Sequence, residues 1–121
     1  MVRAVILDTL KKLTNNDEIE VCYFLRKNGD ILGTAGKDEF RQIETFGIMC
    51  ATIFGAANTA NEQLKKDRPN RIVIRSADGD TVIKGVMDDF ILALRTHERE
   101  NFGMILKKMD NAIEHIEENW S

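Results

Sequence analysis

The sequence predicts a single α+β domain, residues 1–121, in which helices cover both faces of a five-stranded antiparallel sheet. The run 45–61 carries no charged side chain, although 31% of the chain is charged. Residues 19–25 and 90–94 are apolar on both faces, as in strands covered on two sides. Asn-Gly at 28–29 and Asp-Gly at 78–79 predict hairpin turns. With 121 residues and one proline, the chain can bury one sizeable core.

Hydrophobic periodicity predicts the element order α-β-β-α-β-β-β-α. The predicted elements are α1 (2–13), β1 (19–25), β2 (31–35), α2 (38–64), β3 (71–75), β4 (81–86), β5 (90–94) and α3 (102–120). In β1, Ile19 and Val21 are expected on one face. Because β2 is short and β3 is apolar on one face only, both are expected at sheet edges. The predicted order is therefore 2-1-5-4-3, all antiparallel, with α2 on one face and α1 and α3 on the other.

Helix α2 is predicted to start with Asp38 as its N-cap and to end before Pro69, about seven turns later. One side forms a broad apolar stripe that includes Cys50, Phe54 and Leu64 and faces the sheet. The opposite side is uncharged, where a surface helix would carry Lys and Glu; it comprises Ile48, Met49, Thr52, Gly55, Ala56 and Thr59. Either a second copy of the chain covers this side, or α1 or a loop of the same chain does.

The edge strand β3 is expected next to the uncharged side of α2. In β3, the alternation places Ile72 and Ile74 inward and Arg71 and Arg75 outward. An open edge beside an uncharged helix predicts one symmetric interface, with β3 pairing with its copy and the two α2 helices packing together. The residues predicted at this dimer interface are Ile48, Met49, Thr52, Gly55, Ala56, Thr59, Arg71, Val73 and Arg75.

Composition argues against several classes of partner and location. The net charge of −3 and the lack of a basic run disfavour nucleic acid. The α2 segment is too short and too rich in Gly, Thr and Asn for a comfortable membrane span, so no membrane insertion is expected. The N-terminus has too few consecutive apolar residues for a signal peptide, which predicts a cytoplasmic protein. Cys22 and Cys50 lack metal spacing and are expected to be buried thiols.

Catalytic and cofactor motifs are not found in the sequence. Ser76 and Ser121 lie outside any G-x-S-x-G motif, and His97 and His115 lie in charged surface segments. The segment 33–37 has Lys after Gly but lacks the phosphate-binding pattern G-x-x-x-x-G-K-[ST]. We therefore predict no catalytic residue, no cofactor and no metal.

The order of elements, the small-residue α2 and the segment 88–104, DDFILALRTHERENFGM, resemble the roadblock/dynein light chain family. In that family an apolar last strand leads through a polar loop into an Asn-Leu-Gly-type helix start, matched here by residues 101–103, Asn-Phe-Gly. The turns at 28–29 and 78–80 fit as well. The similarity spans about residues 7–118 and depends on order and spacing together.

This resemblance implies a roadblock-like, profilin-like sandwich and a non-enzymatic homodimer, or half of a heterodimer, joined through α2 and β3. Family members act as platforms and regulators of Ras-like small GTPases in bacteria and archaea, and as dynein light chains or GTPase-controlling scaffold subunits in eukaryotes. The expected function is thus a cytoplasmic homodimeric scaffold that binds a Ras-like small GTPase through a composite dimer surface, in a prokaryotic, archaeal-type member. The resemblance assigns no arginine as a GTPase-activating residue. The alternative is a small-molecule sensor of the PAS or GAF type, which also packs helices on an antiparallel sheet.

Overall fold

The computed structural model describes residues 2–15, 18–97 and 101–120. Its elements are α1 (Val2–Leu13), β1 (Ile19–Arg26), β2 (Ile31–Gly36), a 3₁₀ turn (Asp38–Phe40), α2 (Glu44–Gln63), β3 (Ile72–Ser76), β4 (Gly79–Val86), β5 (Phe90–Thr96) and α3 (Phe102–Glu118). The predicted α+β class and order of helices and strands are confirmed, and the 3₁₀ turn is an addition. Among the described residues, no helix has the length and hydropathy that crossing a bilayer requires.

The five strands form one antiparallel sheet in the order β2-β1-β5-β4-β3, as predicted. β5 lies at the centre, where Leu94 faces Cys22 of β1 and Val82 of β4. The strands β2 and β3 each pair on one side within the described sheet. The molecule therefore has two sheet edges, one at each end.

Two apolar cores lie on the two faces of the sheet. Phe24, Leu92 and Leu94 pack against α1 and α3, whereas Tyr23 and Ile83 pack against α2. This two-sided burial explains why β1 and β5 are apolar on both faces. The prediction for Ile19 is wrong: its side chain packs on the α1 and α3 side, because the register against β5 shifts between Ile19 and Val21 and reverses the facing of the residue before it.

Helix α2 begins five residues later than predicted, counted from N-cap to N-cap. Asp38 belongs to the 3₁₀ turn, and the N-cap of α2 is Ile43 in extended backbone conformation. The Tyr23 hydroxyl donates to the Phe40 carbonyl and accepts a hydrogen bond of 3.1 Å from the Ile43 amide. These bonds hold the chain in a non-helical bend. The predicted inner position of Leu64 is also wrong, since 70% of its surface is exposed just beyond the end of α2.

Candidate dimerisation surface

The inner side of α2 packs closely on the sheet. Its buried residues are Gly47, Cys50, Ala51 and Phe54. A Cβ on Gly47 would lie 2.9 Å from the Gly29 carbonyl oxygen, and one on Gly85 of β4 would lie 2.9 Å from the Phe54 ring. Because backbone and ring approach so closely, the position of α2 over the sheet is fixed by small residues on both layers.

The six α2 residues predicted at the interface all lie on the opposite, exposed side. At about 100° per residue they span an arc of about 120°. Ile48 and Met49 are 47% and 53% exposed, and nothing lies within 4 Å of a Cβ placed on Gly55. The interpretation in which α1 or a loop covers this side is wrong for the described part of the chain, because α1 packs on the other face of the sheet. We call these six residues, Ile48, Met49, Thr52, Gly55, Ala56 and Thr59, the α2 outer face.

The α2 outer face contains few polar groups that would resist burial. The Thr52 hydroxyl already donates to the Ile48 carbonyl oxygen at 2.8 Å within the helix. Covering Thr52 would therefore leave no new donor unsatisfied. The charged residues of α2 are Glu44 and Glu62, which lie near its two ends. A partner surface can approach the middle of the helix without desolvating a charge.

Strand β3 supplies an open backbone edge, but its side chains are arranged differently from the prediction. Ile72 packs toward the α2-side core, and Val73 toward the α1 and α3 side. Ile74, predicted inward, is 41% exposed. Alternation along the strand puts Ile74 on the same face of the sheet as Ile72 and α2. Ile74 is thus a further apolar surface residue that the sequence pattern did not identify.

The two predicted interface arginines are engaged within the chain, on the α3 side of the sheet. Arg71 Nη2 lies 3.2 Å from Asp110 Oδ2, and Arg75 Nη2 lies 3.3 Å from Asp80 Oδ2. The Arg75 guanidinium also stacks over the Phe102 ring, 4.6 Å from its centroid. The expectation that both arginines simply point outward is therefore wrong for Arg71, whose side chain is only 26% exposed.

Asp110 joins β3, β4 and α3 through two cations. Its second oxygen, Oδ1, accepts a hydrogen bond of 2.7 Å from Lys84 Nζ. Partial burial opposes ionisation of this carboxyl, but the hydrogen bonds and charges of Lys84 and Arg71 outweigh burial and lower its pKa. The Asp110 side chain is 40% exposed. In the fold it anchors the β3 edge.

Residues that could carry catalysis are poorly placed for it. Cys22 and Cys50 are buried as predicted, and burial raises the pKa of each thiol to about 12, so both stay protonated. His97 Nδ1 lies at the surface, 3.0 Å from Glu20 Oε1. Within the described ranges, no three His, Cys, Asp or Glu side chains lie close enough to hold a metal ion.

No protein-family model and no curated protein sequence matches the chain. Several solved structures match the chain in fold. Myxococcus xanthus MglB superposes with a TM-score of 0.88 over 94% of this chain and 86% of that chain, at 15% identity. A structure described as MglB with tetrameric arrangement gives 0.82 over 95% and 87%, at 13% identity. A roadblock/LC7 domain from Streptomyces avermitilis gives 0.81 over 90% and 92%, at 11% identity.

The chain therefore has the roadblock/LC7 fold, and the predicted resemblance is confirmed at the level of fold. The same finding agrees with the profilin-like layer order, since Acanthamoeba profilin IB superposes with a TM-score of 0.65. On the α2 side of the sheet Tyr23, Ile83 and Ala93 are wholly buried among their neighbours. Because side chains fill this face, the sensor alternative gains no support from it.

Proposed function

We propose that this chain is a non-enzymatic scaffold that forms a homodimer through the α2 outer face and the β3 edge, and that the dimer binds and regulates a Ras-like small GTPase. The observation that carries the proposal is an exposed, uncharged helix side lying over a described sheet that ends in β3, whose outer edge pairs with no other strand of that sheet. Exposed apolar surface of this kind marks an interaction site.

The geometry suits a two-fold contact. In such an interface both chains bury the same surface, so any charge on it would be desolvated twice, and near the axis it would face its own copy. The α2 outer face has none, and Gly55 allows close approach of a second helix. Along β3, Arg71 and Arg75 are already paired with Asp110 and Asp80, which lowers the cost of bringing two copies of this strand together.

The GTPase part of the proposal depends on the fold likeness and on the family resemblance in the sequence. The roadblock/LC7 and MglB structures share the layer order and nearly the full length of this chain. A dimer would present a surface composed of both chains, which neither chain has alone. The buried, protonated cysteines and the surface position of His97 and His115 favour binding over chemistry as the contribution of this chain.

Replacing Gly55 with Glu tests the dimer. Nothing lies within 4 Å of the added Cβ, so Gly55→Glu fits the monomer, and losing a mid-helix glycine should stabilise it by about 0.5–1 kcal/mol. The dimer should dissociate, since two carboxylates would meet at the axis. Thr52→Glu should act in the same way. Light scattering after size exclusion at micromolar concentration measures the mass.

Gly103→Glu is the matched control, because Gly103 is also an exposed helical glycine with nothing within 4 Å of its Cβ position. It should gain the same small stability and remain a dimer. A wild-type protein that is monomeric at 100 μM, or a Gly55→Glu variant with the same dimer mass as Gly103→Glu, would refute the interface.

Binding to Ras-like GTPases from the same genome, loaded with GDP or a non-hydrolysable GTP analogue, tests the second part by calorimetry. We expect one nucleotide state to bind wild type and Gly103→Glu but not Gly55→Glu. If no such GTPase binds, the regulator function is wrong even if the dimer stands. If a GTPase binds Gly55→Glu equally well, the composite surface is wrong.

A further inference from the structure

A polar groove of about 890 Å³ lies along the outer edge of β2, at the end of the sheet opposite β3. Its floor is formed by residues 31–34 of the strand. One wall is helix α1, through Arg3, Leu7 and Lys11, and the other is the segment around Arg41 and Gln42 before α2. We call this feature the β2 groove.

The walls of the β2 groove are basic in a chain whose net charge is −3. Arg3, Lys11, Arg26 and Arg41 line it, against two carboxylates, Asp30 and Glu44. Arg41 is paired with Asp38, whereas Arg3 and Lys11 form no ion pair within the described part of the chain. Arg3, Leu7 and Lys11 follow each other at intervals of four, so they lie along one side of α1. The groove thus presents two cations, without an ion-pair partner among the described residues, in a row beside the apolar Leu7.

The floor of the groove presents unpaired backbone groups. The Lys37 amide donates to the Glu20 carbonyl at 2.9 Å, which sets the hydrogen-bond alternation between β1 and β2. By that alternation Gly33 and Ala35 bond toward β1, and the N–H and C=O of Thr34 point away from it. A Cβ on Gly33 would already lie 3.3 Å from both Leu7 and Leu10, so the glycine lets α1 approach the strand and form a wall.

We propose that the β2 groove binds an extended acidic segment of a partner protein, which adds as a sixth strand to β2 and places its carboxylates against Arg3 and Lys11. Strand addition satisfies the outward backbone groups of Thr34, and the basic wall selects acidic residues over others. The site lies at the other end of the sheet from β3 and does not depend on a GTPase; it shares one lining residue, Ile48, with the α2 outer face.

A second copy of this chain is a poor occupant of the groove. A symmetric pairing of β2 with itself would bring the same Arg3 and Lys11 walls together, and like charges across an interface cost several kcal/mol. The groove therefore favours a partner of opposite charge, and an acidic peptide matches both the charge and the strand edge.

The proposal is tested with a fluorescein-labelled peptide of about seven residues in which Glu and Val alternate, long enough to span β2. Fluorescence anisotropy at low salt measures its affinity. A peptide with Lys in place of Glu is the control for charge. We expect the acidic peptide alone to bind, with protection of the Thr34 amide from hydrogen exchange.

Two matched pairs of variants locate the site. Lys11→Glu should weaken binding about tenfold or more, whereas Lys12→Glu, the same charge change outside the groove, should alter it less than about threefold because of screening. Thr34→Pro removes the outward N–H at an edge strand, where proline is tolerated, and should abolish binding. Thr34→Val keeps that N–H and should bind like wild type.

Several outcomes would overturn the proposal. The first is no binding of the acidic peptide at about 1 mM, a Kd that corresponds to a binding free energy of only about 4 kcal/mol. The second is equal weakening of binding by Lys11→Glu and Lys12→Glu. The third is equal binding of the Lys peptide and the acidic peptide. If the acidic peptide binds without protecting the Thr34 amide from hydrogen exchange, and if pyrophosphate displaces it, the groove is a simple anion site instead. If circular dichroism shows that Thr34→Pro does not fold, the comparison of Lys11→Glu with Lys12→Glu still tests whether the peptide binds in the groove.

Discussion

Replacing Tyr23 with Phe should loosen the start of α2 while leaving the core packed. Tyr23 is fully buried, and its ring centroid lies 5.1 Å from that of Phe46, a contact that Phe retains. Burial raises the pKa of the phenol, so the hydroxyl remains a donor to the Phe40 carbonyl at neutral pH. The variant removes one oxygen and with it both hydrogen bonds that shape the bend before α2, including the one accepted from the Ile43 amide.

The expected loss is about 1–3 kcal/mol, because each net hydrogen bond contributes about 1 kcal/mol and a partner left buried without one costs more. For a chain of this size that corresponds to a melting temperature lower by roughly 4–12 °C. Urea unfolding at one fixed protein concentration measures it, since dimerisation makes stability depend on concentration. Hydrogen exchange should accelerate most at the Ile43 amide.

Thr14→Val is the matched control, since among the described residues its hydroxyl bonds only to the Leu10 and Lys11 carbonyls of the last turn of α1. It should change stability by less than about 0.5 kcal/mol. If Tyr23→Phe is equally mild, or if exchange at Ile43 is unchanged, then the bend is held by the chain around it and the reasoning from Tyr23 fails.

Two further predictions concern the backbone and the pH dependence. Gly36→Ala should lower the free energy of unfolding, measured in urea, by more than about 3 kcal/mol, because φ is +120° and a Cβ would lie 2.2 Å from the Glu20 carbonyl oxygen. Gly33→Ala is the control and should be much milder, because its nearest contacts at 3.3 Å are side chains. Equal effects of the two substitutions would contradict the steric argument. The lowered pKa of Asp110 means that its ion pairs stabilise the fold above the ordinary value of 3.8 and are lost as the pH falls below it through the lower folded value. Asp110→Asn should therefore flatten the fall of thermal stability below about pH 4, and an unchanged profile would refute this.

The sequence predicted those parts of the fold correctly that depend on patterns within one strand, turn or helix. Two strands apolar on both faces required helices on both sides of the sheet. The Asn-Gly and Asp-Gly pairs marked the β1–β2 and β3–β4 hairpins, where Gly29 and Gly79 have φ of +98° and +139°. The exposed side of α2 was also predictable, because it follows from spacing along one helix.

Apart from Leu64, which lies just beyond the end of α2, the errors involve contacts or register between residues distant in sequence. The start of α2 is set by Tyr23, 20 residues before Ile43, and the apolar period continues through the bend without a break. Arg71 is drawn to Asp110, 39 residues later, which no pattern within β3 could indicate. Ile74 lies on the face of the sheet that the alternation predicts, but at the edge of the sheet it is exposed, whereas Ile72 packs against the α2-side core.

The two sheet edges differ in a way that separates self-association from binding to an unlike partner. At β3 the arginines Arg71 and Arg75 are each paired with a carboxylate of the same chain, which reduces the repulsion that a two-fold axis there would create. At β2 the groove-lining cations Arg3 and Lys11 would meet their own copies across such an axis. Electrostatics alone therefore favours β3 as the edge that joins two copies and leaves β2 for an acidic strand from another protein, and the charge change Lys11→Glu should affect only the second contact.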